Sequence, residues 1–155
     1  YAVIQSGVEI SGTQNVGNFS ASRLESMIRV IKKYGLMSKE HNGDYLTFRQ
    51  IKQRAESGLD SINIAPEFGV RQTRFLLDNG LVEKKSAFEE CLRANRYKKW
   101  IPPQFKENPP DTLITEVSGH YSFLKSPFRE GIKNITDEFQ RSLIERFDEI
   151  NSAWN

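Results

Sequence analysis

Residues 1–82 predict an α/β fold with a parallel sheet, and residues 83–155 a mostly helical extension. Three observations lead to this. Short apolar runs alternate with segments of helical periodicity in the order β-α-β-α-β-α. The connections between them are only a few residues long, as in parallel β-α units joined by right-handed crossovers. After Leu81 the alternation stops, and helical and Pro-rich stretches take over.

Residues 1–10 read as the first strand. Ala2, Val3 and Ile4 form the continuous apolar run of a strand covered on both faces, with Val8 and Ile10 following. Residues 11–19 are a loop containing Gly and Asn. Residues 22–34 predict a helix: Leu24, Met27, Ile28, Ile31 and Tyr34 share a face, Ser22 and Glu25 have capping-box spacing, and Gly35 is a natural stop. A second strand begins over 36–38. Thr47 with Gln50 opens a helix over 47–57 that Gly58 ends. "LDSINIA" at 59–65 is the third strand, "PEFG" a turn, and 70–79 a helix ended by Gly80. Beyond a boundary near residue 82, residues 86–99 predict a helix capped by Ser86 and Glu89, with Phe88, Cys91 and Leu92 as its apolar face. The loop 101–111 carries two Pro-Pro pairs and cannot be regular helix. Residues 113–117 are apolar but too short to assign. Residues 135–154 predict a terminal helix with Ile135, Phe139, Leu143, Phe147 and Ile150 in one stripe.

A chain of 155 residues, 37% hydrophobic and 27% charged, has enough apolar material for a real core. Its net charge of +2, with Lys and Arg dispersed among acids, argues against nucleic acid or an anionic membrane as partner. The single cysteine, Cys91, excludes an intrachain disulfide and suits a reducing, cytoplasmic setting. No apolar run nears the roughly 18 residues of a membrane span, and the start lacks the basic region of a signal peptide. Because the chain opens without Met, directly in a strand pattern, it reads as a piece of a longer one.

In parallel α/β folds, ligands bind at the carboxyl ends of the strands. Three loops qualify: "GVEISGTQNVGN", "EHNGDY" and "NIAPEFG", which bring Glu9, His41 and Asn63 to the strand ends. Glu9, between Val8 and Ile10, is a candidate base or metal ligand; the plainer alternative is an outward-facing carboxylate. His41 is a candidate acid/base or neutral imidazole ligand. Glu40 and Asp44 beside it are of the type that orients imidazole rings; the alternative is a histidine hydrogen-bonded in its loop. Asn63, between Ile62 and Ile64, needs a partner when buried, either substrate or a neighbouring core group. Gly12, Gly17 and Gly43 precede helix starts, where backbone N–H groups can cradle phosphate, or they are turn residues only. In the extension, His120 is a packing or surface histidine. Tyr97, Lys98, Lys99 and Arg129 offer either phosphate contacts or a solvated basic face. No P-loop, dinucleotide fingerprint, HExxH or GxSxG motif occurs, so no nucleotide cofactor is expected.

In order and spacing, "VIQSGVEI", "EHNGDYLT" and "INIAPEFGVRQTRF" resemble the companion subunits of D-tagatose-1,6-bisphosphate aldolases of galactitol and N-acetylgalactosamine catabolism. Those subunits are themselves similar to class II, zinc-dependent ketose-bisphosphate aldolases. The resemblance spans most of the chain and continues more loosely through "YKKW" at 97–100, Tyr121-Ser122 and "IKN" at 132–134. It implies a (β/α)8 TIM barrel, of which this chain supplies the last three strands plus a helical C-terminal extension. It also implies site residues. His41 matches a zinc-binding histidine of the catalytic enzymes, and Glu9 stands where they carry another, so Glu9 and His41 are the expected ligands of a zinc ion. Asn42, Gly43, Asp44 and Tyr45 replace the enzymes' small phosphate loop and keep only its glycine. Asn63 matches a substrate-contacting asparagine. On this basis His41, Glu9 and Asp44 are the catalytic candidates, and Asn63, Gly43, Asn42 and Tyr45 the substrate-binding ones. The expected function is in carbohydrate metabolism: a non-catalytic companion that stabilises a catalytic class II aldolase subunit and binds a sugar phosphate, with a homo-oligomer left open. The alternatives are an active metal-dependent aldolase, in which zinc polarises the substrate carbonyl, and a purely structural interaction module.

Overall fold

The structure, a computed structural model, describes residues 1–155 and contains seven α-helices and a small parallel sheet of three strands. In chain order the elements are β1 (Ala2–Ile4), β2 (Ile10–Ser11), β3 (Gln14–Asn15), α1 (Ala21–Lys33), β4 (Ser38–Glu40), α2 (Phe48–Glu56), β5 (Ser61–Ile62), α3 (Pro66–Asp78), α4 (Lys84–Ala94), α5 (Asp111–Ser118), α6 (Phe128–Ile132) and α7 (Asp137–Ser152). The contacts divide the chain into two compact units. Residues 1–10, 14–65 and 144–155 form the first; residues 11–13 and 66–143 form the second. The contact division falls at 65/66, so α3 groups with the helical part.

In the first unit the sheet runs β1-β4-β5, with Ile4 opposite Glu40 and Glu40 opposite Ile62. β2 and β3 form a separate two-stranded ladder. Ile4, Leu24, Ile28, Ile31 and Leu59 make the core, with Ala2, Phe19, Met27 and Trp154 against it. The C-terminal segment is tied in by polar bonds: Trp154 Nε1 donates to the Leu59 carbonyl at 3.0 Å, and Arg146 Nη2 donates to that of Leu46 at 2.7 Å. The strand expected over 1–10 stops at Ile4. Gly7, at φ +118°, turns the chain where an L side chain would be strained. At the amino end of the sheet, the Ser38 N–H and hydroxyl donate to Asp60 Oδ2 at 2.8 and 2.7 Å, which holds the Asp60 carboxyl below its ordinary range.

The second unit is helical. Leu76, Val82, Ala87, Cys91, Ile101, Ile114, Val117 and Phe128 form its core, and Phe75 stacks on Phe139 with ring centroids 4.4 Å apart. "PEFG" is not a turn but the first turn of α3, where Pro66 loses no hydrogen bond that the helix start would have made. Residues 113–117 lie within α5, which starts immediately after Pro110.

Helix caps follow the side chain that reaches the orphan N–H groups. Thr47 and Gln50 form the reciprocal box: Gln50 N–H donates to Thr47 Oγ1 at 3.3 Å, and Thr47 N–H to Gln50 Oε1 at 2.8 Å. At α1 the cap is Ser20 rather than Ser22, and at α4 it is Glu83 rather than Ser86. The Glu83 carboxylate accepts from the N–H groups of Lys85 and Ser86, a pairing that Ser/Thr-based box spacing does not capture. No helix is long and apolar enough to cross a membrane.

Leu24 is fully buried in the first core. Leu24→Ala is expected to lower stability by about 2–5 kcal/mol, and Thr47→Ala, which removes a cap, by about 1 kcal/mol, both read from urea unfolding.

Candidate functional site at the strand ends

β1, β4 and β5 run parallel and adjacent, so the loops after them collect at one end of the sheet. The dominant group there is Glu40, the last residue of the central strand, which is fully buried. Its Oε1 accepts from the Ser6 N–H at 3.1 Å and from the Ser6 hydroxyl. Its Oε2 accepts from Arg54 Nε at 2.5 Å. Arg54, on α2, is 1% exposed; its Nη1 donates to the Gln50 carbonyl at 2.9 Å, and its guanidinium lies 4.1 Å from the Phe19 ring centroid. A carboxylate and a guanidinium removed together from water are tolerable only with this degree of hydrogen bonding. Glu40 is thus committed to the turn after β1 and to α2.

Asp44 is the second buried carboxylate, at 1% exposure. Its Oδ1 accepts from the Ala65 N–H at 2.9 Å, joining the loop after β4 to the end of the segment after β5. Two further bonds reinforce that junction. Asn63 N–H donates to the Glu40 carbonyl, and Gly43 N–H to the Asn63 carbonyl, each at 2.9 Å. A third connection comes from Asn15. Its Nδ2 donates to the carbonyls of Asn42 at 3.1 Å and Asp44 at 3.0 Å, while its Oδ1 accepts from the N–H groups of Glu9 and Gly17. The three strand-end loops are therefore stitched by side chains of the chain itself.

Within this frame the expected site residues separate into two groups. Asn42, Gly43, Asp44, Tyr45 and Asn63 come together at the strand ends, and Asp44 and Gly43 are buried. Asn42 and Tyr45 both hold φ near +61°, the left-handed region that forms this tight loop. Gly43 is required by close approach: a Cβ there would lie 2.1 Å from Ile62 Cδ1. Its N–H points to Asn63, that of Gly17 to Asn15, and that of Gly12 to the Trp100 carbonyl, so these amides do not form an open phosphate cradle. Glu9 and His41, by contrast, are exposed. Glu40 does not orient His41, because both its oxygens are engaged by Ser6 and Arg54.

No three His, Cys, Asp or Glu side chains gather anywhere in the chain. Glu9 and His41, the expected ligands, are exposed, while Glu40 and Asp44 beside them are committed to internal hydrogen bonds. Sequence reasoning missed Ser6, Asn15 and Arg54. Arg54 follows Ile51 at helical spacing and so lies on the buried face of α2, but only its partner Glu40 explains a charge there.

The other histidine, His120, belongs to the second unit. Its Nδ1 is buried without a hydrogen-bond partner, and its ring packs 4.1 Å from that of Tyr121. Burial, helped by the nearby Lys99 charge, draws its pKa from 6.5 down to about 4, so it is a neutral packing group at physiological pH.

No family model matches the chain, and no curated protein matches it.

Two outcomes follow. Glu40→Gln or Arg54→Met leaves one buried partner uncompensated and should cost about 3–5 kcal/mol in urea unfolding, while Glu40→Leu with Arg54→Met should recover much of that loss. For His120, the unfolded chain takes up a proton near 6.5 and the folded chain only near 4. Its contribution to stability is therefore complete above 6.5 and is lost as pH falls toward 4. Unfolding free energies measured across that window should decline less steeply in His120→Asn than in the parent.

Proposed function

We propose that this chain is a sugar-phosphate protein of the tagatose-bisphosphate aldolase companion type, and that its first unit supplies the last β-α units of a (β/α)8 barrel. One observation carries the reading: each of the three motifs behind the resemblance lies at the carboxyl end of one of three adjacent parallel strands, in chain order. That is where a barrel presents its ligand-contacting loops. The companion role is favoured over an independent aldolase by the chemistry of the rim. Its buried carboxylates serve as ties between loops, and Glu9 and His41 are exposed. A rim tied in this way is suited to holding a fixed surface, with Asn63, Asn42 and Tyr45 near a bound sugar phosphate and His41 and Glu9 facing outward toward a catalytic class II subunit. The partner would perform the aldol cleavage of a ketose 1,6-bisphosphate to two triose phosphates.

The full chain, mixed with a catalytic class II tagatose-bisphosphate aldolase subunit, should prolong that subunit's activity at elevated temperature while showing no cleavage by itself. Turnover by the chain alone, abolished in His41→Ala and accompanied by stoichiometric zinc, would overturn the companion reading in favour of an active aldolase. Absence of any effect on the partner, with no turnover alone, would leave the interaction-module alternative.

A further inference from the structure

A concave site in the helical unit shares no residue with the strand-end site. Asn95 ends α4 in the left-handed conformation, φ 52° and ψ 37°, with its N–H donating back to the Cys91 carbonyl at 3.1 Å. The chain then turns through a short 3-10 segment at Lys98–Trp100. This reversal gathers Asn95, Arg96, Lys98 and Lys99 around a cavity of about 250 Å³ whose remaining wall is Tyr121.

The lining has two properties. It offers hydrogen-bond donors and cations but no carboxylate. None of Arg96, Lys98 and Lys99 is in an ion pair, whereas Arg93, one turn earlier, is neutralised by Glu90 at 2.7 Å. The wall is also held in place. Trp100 Nε1 donates to the Tyr121 hydroxyl at 3.3 Å, and Tyr121 packs against His120. Lys99 Nζ lies 4.4 Å from the Trp100 ring centroid and 5.6 Å from that of Tyr121, which fixes its ammonium over aromatic faces. Because the Tyr121 oxygen accepts from Trp100, its own proton is left to donate outward.

We propose that this concavity binds a small phosphorylated metabolite through its phosphate monoester. A dianion with three acceptor oxygens and no donors matches a lining of two ammoniums, a guanidinium, a phenol O–H and an amide. The cations are confined to one pocket spanning residues 95–99 rather than spread as a stripe along a face, which favours a compact ligand over a nucleic-acid backbone. The inference does not depend on the aldolase reading.

The test is calorimetric titration of the full chain with glycerol 3-phosphate and with inorganic phosphate, against sodium chloride of matched ionic strength. Saturable binding at one site is expected for both phosphates. Arg96→Ala and Lys98→Ala should each weaken it about tenfold, as loss of a charge-assisted hydrogen bond does. Tyr121→Phe should weaken it by less, and Lys106→Ala, which removes an exposed charge outside the lining, should not change it. Far-UV circular dichroism confirms that each variant is folded. The proposal is overturned by absence of saturable phosphate binding, by equal weakening in Lys106→Ala, or by a single-stranded oligonucleotide that binds more tightly than glycerol 3-phosphate.

Discussion

Glu40 and Arg54 lie together out of contact with water at the end of the central strand, and the first unit is organised around that pair. Burying either ion alone would cost several kcal/mol, so each must find nearly all of its hydrogen bonds within the protein. That requirement reaches outward from the strand. It draws Ser6 and the turn after β1 onto Oε1, sets α2 at the distance where Arg54 Nε meets Oε2, and places Phe19 under the guanidinium. A hydrophobic pair of similar volume would fill the space equally well but would not dictate which loop, which helix and which ring meet there.

The same logic governs the rest of the rim. Asp44 and Asn15 complete backbone hydrogen bonds that short strands leave unmade. With strands of only two or three residues, the sheet ladder itself supplies little. Side chains from the loops therefore take over the role that longer strands would have played. The functional consequence is a rim whose buried polar groups are structural, with Glu9 and His41 left on its outer surface.

The helical unit solves a different problem. Its core is apolar and continuous, and burial keeps both the His120 imidazole and the Cys91 thiol neutral. The polar features that stand out are on its surface, where the left-handed turn at Asn95 concentrates three cations that form no ion pair. Concentration of like charge in a concavity raises the local potential, and a bound anion would relieve it.

Periodicity and punctuation in the sequence were enough to establish the α/β start, the helical remainder and the Thr47 cap, because each depends on residues close along the chain, and the parallel pairing followed from the alternation of strands with helices. Loop motifs likewise located the strand ends that carry Asn42, Gly43, Asp44 and Asn63. Tertiary structure alone decided the direction in which each polar group points. Glu40, adjacent to His41 in sequence, turns to Arg54 on a neighbouring helix. Asn15, in a stretch read as plain loop, bridges two strand-end segments. The Pro66 turn became the start of α3 and joined the helical unit. The physical reason is common to all of these. A charged or amide side chain is placed by whichever partner can satisfy it once water is removed, and for Glu40, Asp44 and Asn15 those partners lie up to 34 residues away along the chain.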